Sequence, residues 1–375
     1  MRTKTGTLHL PNLNALRFIA AAIVLIHHIE FTKREFHLPN YWNRNFLGLM
    51  GDLGVTLFFT LSGFLITILL LEEKNKKHTI DIIAFYKRRI LRIWPLYYLI
   101  FLSALFIFPH LEFFRLPTTN STTQNIVEKL ILFICMLPNA VFSFFPRLPY
   151  AVQTWSIGVE EQFYIIWPWL IKFTKNIILI LSIIYVGFFA FNLYLLKGNP
   201  YDFMSVKVAI LLSHLRFGCM AIGGIAASVH FFNKTNVLKY ILNRKAQLIA
   251  ILALVVLPSL PSSVFRMHEL FALFFALLIL NFAFCPKVLV NLEIQPFKYF
   301  GKISYGIYMY QFIGIVIAIK FTNLLIGSEN ILVFNLFVYL ISFGITIGLS
   351  SLSYEFFEKK FLKLKEKFQI VPSNS

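Results

Sequence analysis

LRFIAAAIVLIHHIEF (residues 16–31) is apolar enough for the interior of a membrane, yet it carries Arg17 near one end and His27 and His28 near the other. A helix turns 100° per residue, so Arg17 and His28 fall within about 20° of one face and roughly 16 Å apart along the axis. Ionisable groups inside a span normally face a bundle interior or a water-filled cavity. Snorkelling of Arg17 and simple packing of a histidine explain each residue singly. A polar stripe along one helix face explains both, with His27 pointing about 100° away from it.

The rest of the chain sets the class. Of 375 residues, 58% are hydrophobic and 14% charged, where a soluble domain carries about 25% charged residues. Long apolar runs recur from end to end, and no polar stretch is long enough for a separate soluble domain. The expected fold is all-α, a polytopic integral membrane protein of about ten transmembrane helices, with 1–375 forming a single membrane-embedded domain. The expected spans are roughly 10–31, 47–71, 90–109, 155–171, 176–196, 208–232, 246–257, 267–285, 303–322 and 331–355. The apolar stretch 128–145 is expected to be re-entrant or interfacial.

The formal net charge of +18 would suit a nucleic-acid partner in a soluble protein. Here the charge lies in short loops between apolar runs, which points to topology signals and anionic lipid, with the bilayer as partner and no nucleic acid. If the N-terminus is inside, 23 of the 35 Lys and Arg residues fall on the cytoplasmic side and 10 on the other. Both termini are then cytoplasmic, including the basic tail 356–375. Arg2 and Lys4 precede the first run, and no small-residue cleavage site follows it, so an uncleaved first span is expected. Cys135, Cys219 and Cys285 stand isolated in apolar sequence. Their spacing argues against a disulfide framework or zinc motif, so packing roles are expected for all three and no metal site is expected.

Three further stretches carry unexpected chemistry. GDLGVTLFFTLSGFLIT (51–67) places Gly51, Gly54, Ser62 and Gly63 in a span, which suits close helix packing or room for a substrate. FYKRRILRIWPLYY (85–98) puts Arg89 and Arg92 on one helix face at the cytoplasmic start of a span. Such a cluster sets topology, and it also suits a phosphate clamp, because guanidinium forks bind phosphate bidentately. TWSIGVEEQFYIIWPWL (154–170) aligns Ser156, Glu160 and Tyr164 on one face. Counted inward from an outer helix end, Glu160 is expected at the depth of His28, where a carboxylate would orient an imidazole.

In this order, the stretches resemble the acyltransferase 3 family of integral membrane acyltransferases. The resemblance rests on Arg17 and His28 as R-x10-H, GVTLFFTLSGFL (54–65), R-x-x-R at Arg89 and Arg92, and WSIGVEEQFY (155–164) with Ser156 and Glu160. GKISYGIYMYQF (301–312) and YEFFEKKF (354–361) match weaker positions, so the likeness covers about 10–361. The family often has His where this chain has Gln311, and Pro where it has Lys360.

The resemblance implies transfer of an acyl group, most often acetyl, from cytoplasmic acyl-CoA to a carbohydrate hydroxyl on the far side of the bacterial inner membrane. It implies acyl-CoA as a donor substrate and no permanently bound cofactor. The acceptor would be a surface polysaccharide, lipopolysaccharide or related glycan. Read onto this chain, His28 would be the general base assisted by Glu160. Arg17, Arg89 and Arg92 would hold the CoA, and Ser156 and Tyr164 would bind substrate. A membrane transporter without chemistry is the alternative. It accounts for polar residues in spans but not for an inner R-x-x-R combined with an outer His and Glu.

Overall fold

The opening stretch forms α1 (Leu13–Glu35), and α2 (Asn45–Lys77) runs beside it through the centre of the molecule. The computed structural model describes residues 9–42, 45–117, 124–197, 206–260, 267–327 and 330–371, and among these there is no strand. Arg2 and Lys4 lie outside the described residues.

Around α1 and α2 lie α3 (Ile82–Phe106), the short α4 (Ile126–Ile134) and α5 (Pro138–Phe144), α6 (Thr154–Phe173) and α7 (Ile177–Lys197). They are followed by α8 (Val206–His214), α9 (Phe217–Phe231), α10 (Thr235–Ile241), α11 (Arg244–Val256) and α12 (His268–Phe284). The chain ends in α13 (Gln295–Lys302), α14 (Ser304–Ile326), α15 (Ile331–Ser353) and α16 (Lys359–Glu366).

Among the described residues seven helical stretches, α8 and α9 together forming one of them, are long and apolar enough to cross a membrane, or eight if the bent α10–α11 pair is one span. The two remaining expected spans are α6 and α12. Helix α6 carries Glu160 and Glu161 among its apolar residues, and α12 is 17 residues long. The 128–145 stretch is not one continuous helix. It breaks between α4 and α5, where Met136 has φ 58°, and α4 is anchored by Phe133 stacked on Phe101 at 4.4 Å.

Helix α2 is central because its small residues admit neighbours at backbone distance. A Cβ on Gly63 would meet Met220 O of α9 at 1.9 Å, and one on Gly223 of α9 would meet Thr60 O of α2 at 2.1 Å. The two helices therefore touch through reciprocal glycines. At the far end of α2, Lys74 donates to the carbonyls of Ile171, Lys172 and Thr174 and closes the C-terminus of α6. Glu73 accepts from the Asp81 N–H and pairs with Arg88, which ties the α2–α3 turn. Cys219 and Cys285 are buried, whereas Cys135 is exposed.

Helices α1 and α14 run in the same direction. Ala21 packs with Ile303 and Ile307, and further along Leu25 and Ile29 pack with Ile315 and Ile319. This register puts His28 level with residues 311–312.

Candidate active site

Two contiguous cavities open between α1, α2, α3, α6 and α14, and both are lined by Arg17, Arg89 and Arg92. Among the described residues none of these three guanidinium groups has an acidic partner within ion-pair distance. Arg89 lies over the rings of Phe85 and Tyr164, and its Nε is buried without a hydrogen bond. Three like charges held together away from water repel each other and favour an anionic occupant. Arg88 differs, being spent on Glu73 at 3.2 Å and on the Phe368 carbonyl at 2.9 Å. The second bond folds the C-terminal segment under α3, so Lys365, Gln369 and Val371 also line the first cavity. Sequence reasoning left that segment as a plain tail. Its signal was the amphipathic run KKFLKLKEKF (359–368), which suits a helix lying against the body.

Glu160, Ser156 and Tyr164 line the second cavity with the arginines. Glu160 accepts from Ser62 Oγ and from Tyr164 Oη, both at 2.9 Å. Ser156 Oγ shares a 2.7 Å hydrogen bond with Tyr308 Oη. No hydrogen bond joins Glu160 to His28, so the expected pairing of the two is not formed. The reason is the depth at which α6 begins. Its first residues are already interior, with Gln153 and Thr154 1% and 0% exposed, and Gln153 donates to Met309 O of α14 at 2.8 Å. Glu160 lies about two further turns along, roughly 9–10 Å deeper, on the arginine side.

His28 is not among the residues that line this cavity. Its ring lies 4.6 Å from Phe312, and its Nδ1 is buried without a partner. Beyond it a cavity of about 240 Å³ is lined by Phe31, Thr32, Arg147, Tyr150 and Phe312 among others. Thr32 sits one turn past His28 and donates to its carbonyl at 2.7 Å. Along α14, Ser304, Tyr305 and Tyr308 face the arginine cavity, while Phe312 and Val316 face the far one. Along α1 and α14, His28 thus lies between the residues that line the arginine cavity, Arg17 and Tyr308, and those that line the far one, Thr32 and Phe312, and it lines neither cavity itself.

Sequence reasoning missed a second polar cluster. Asp52 pairs with Arg216 at 2.7 Å, and Arg216 also lies over the Trp155 ring. His27 turns its Nδ1 to the Leu47 carbonyl at 3.1 Å. Since a carbonyl only accepts, that nitrogen carries the proton. Gly51 makes room for this ring, because a Cβ there would come within 2.5 Å of it. The available signal was Arg216 and Asp52 inside apolar runs, since a buried charge needs a partner. Among the described residues no group of three His, Cys, Asp or Glu side chains is placed to hold a metal ion.

A family model described as an acyltransferase domain matches residues 10–355. O-acetyltransferase OatA of Staphylococcus aureus is 26% identical over 380 aligned positions, covering 93% of this chain and 57% of the relative. Peptidoglycan O-acetyltransferase OatA of Listeria monocytogenes is 29% identical over 189, covering 48% of this chain and 28% of the relative. The chain thus spans little more than half the length of the first and about a quarter of the second. No solved structure matches.

Proposed function

Because the chain belongs to the acyltransferase 3 family, we propose that it is a membrane O-acetyltransferase, carrying acetyl from cytoplasmic acetyl-CoA to a hydroxyl of a peptidoglycan-type glycan beyond the membrane. The observation that carries this reading is the cavity lined by three arginines without acidic partners. A site with that imbalance suits the phosphates of CoA, and charge-assisted bonds to phosphate are strong and geometrically selective. The glycan acceptor follows the names of the relatives. Acetyl suits the narrow chamber beside Glu160, about 100 Å³.

In this reading Arg17, Arg89, Arg92 and Lys365 hold the donor with its thioester toward His28. Glu160, fixed by Ser62 and Tyr164, faces the arginines and keeps their charge directed. The acceptor enters from the chamber lined by Phe31, Arg147 and Tyr150. His28 takes the proton of the acceptor hydroxyl while its oxygen forms a bond to the thioester carbon. The C–S bond then breaks, and the proton passes from His28 to the departing thiolate, giving free CoA. Donor side in, acceptor side out and both termini cytoplasmic follow the distribution of Lys and Arg.

The test supplies labelled acetyl-CoA to membranes holding wild type or His28→Ala and follows label into the glycan. General-base catalysis contributes about 10²–10⁴-fold, so the variant should lose transfer by that factor at equal protein level. Undiminished transfer would remove His28 from the mechanism.

A further inference from the structure

With Glu160 turned to the arginines, the imidazole of His28 needs another group to hold it. Gln311 is fully buried on α14, at the level of His28, and is the hydrogen-bonding side chain beside it. Its carboxamide has a fixed orientation. Nε2 donates to the Tyr308 carbonyl at 2.8 Å, and the reverse orientation would set oxygen against oxygen. Oε1 is therefore the free end, and it is buried without a partner. His28 Nδ1 is likewise buried without a partner. Two unsatisfied polar atoms on neighbouring side chains, between the residues that line two cavities, each carry a cost that one bond between them removes.

An amide oxygen only accepts, so that bond has a single polarity. We propose that Gln311 is the positioning residue of His28: its Oε1 accepts from Nδ1–H, fixes that tautomer and leaves Nε2 as the lone pair that receives the acceptor's proton. The bond closes as the reactants fill the two chambers. A carboxamide orients the ring without adding a full charge to this buried position. His27, the titratable neighbour of His28 on α1, is held separately on the Leu47 carbonyl. This inference rests on the acyl-transfer reading above.

The test compares wild type with Gln311→Met, of similar length but without the acceptor, and Gln311→Glu, which keeps it. Transfer from labelled acetyl-CoA is measured across pH in the full chain, with His28→Ala as control. Misplacing a reacting group by about 1 Å costs roughly 10²-fold. Gln311→Met should lose kcat on that scale, with KM for acetyl-CoA and the thermal midpoint unchanged. Gln311→Glu should turn over within about tenfold of wild type and move the acid limb of its pH–rate profile upward, because a carboxylate favours the charged imidazole. Wild-type kcat in a folded Gln311→Met, beside an inactive His28→Ala, would overturn the positioning role and leave the acyl-transfer reading intact. Full activity in His28→Ala would instead overturn that reading.

Discussion

Two of the charge groups within the helical body are built in opposite ways. Glu30 and Lys33 on α1 are both 0% exposed and pair at 2.6 Å. Tyr339 donates to Glu30 at 2.6 Å, the Tyr41 N–H donates to it as well, and Lys33 donates to Asn335 at 2.7 Å. This group joins α1 to α15, and its charges balance. The arginine group on α1 and α3 has, among the described residues, no acidic partner within ion-pair distance and opens on a cavity. The first arrangement is what a fold needs when it buries charge. In the proposed function, the second receives its counter-charge from the bound donor. Burial alone does not mark a functional charge; a missing partner beside an open space does.

The contrast can be broken most forcefully at Lys33. Lys33→Met leaves Glu30 buried and unpaired, which should lower stability by about 3–5 kcal/mol, read as a fall in thermal midpoint. Glu30→Gln with Lys33→Met should recover most of the loss. If the single variant were as stable as wild type, the balanced group would not be structural.

Gly63→Ala comes next. It drives a methyl into the backbone of α9 and should cost about 1–3 kcal/mol, without selective loss of CoA binding beyond the fraction unfolded. A variant with full stability would show that the α2–α9 contact has room to give.

The smallest effect is expected at Glu293, in the segment between α12 and α13. It accepts from the Asn12 N–H at 2.5 Å and pairs with Lys298 at 3.0 Å. Partial burial pushes its carboxyl up, but the Asn12 bond and Lys298 outweigh this and hold it below the ordinary carboxylate range. A depressed carboxyl contributes stability above its unfolded value, and that contribution is lost as pH falls through the folded value. Glu293→Gln should therefore narrow the stability difference between neutral and acidic pH. An unchanged acid profile would assign the anchoring of Asn12 to its other bonds.

Much of this was legible in the sequence because helical periodicity is rigid. A step of eleven residues from Arg17 to His28 returns to one face in any straight helix, and the structure places Arg17 in the arginine cavity and His28 further along α1, one turn before Thr32 of the far cavity. The R-x-x-R pair likewise reaches one cavity, since residues three apart share a face. Depth was harder to read. Glu160 was counted from an outer surface, but α6 starts inside the body, where Gln153 is bound to Met309 O. Sequence periodicity gives the face of a helix and not where the helix begins relative to its neighbours. Lys33, one of the ten Lys and Arg residues that the charge count puts on the far side, is misread as a loop charge for a similar reason. Its partners Asn335 and Tyr339 lie some 300 residues away, and only the packing of α15 on α1 brings them close. The broken 128–145 stretch was better marked, by Pro138 after a short apolar run.

The central claim is that the unbalanced arginines bind the donor. The measurement is CoA binding to the purified full chain in lipid nanodiscs, wild type against the Arg89→Leu, Arg92→Leu double variant, at two salt concentrations. A hydrogen bond to a charged group contributes about 1.5–3 kcal/mol, so the double variant should bind CoA at least about 100-fold more weakly. Removing like charges should leave its thermal midpoint unchanged or raised, and wild-type affinity should fall as salt rises. Equal CoA affinity in the two proteins would contradict the account, whatever happened to transfer.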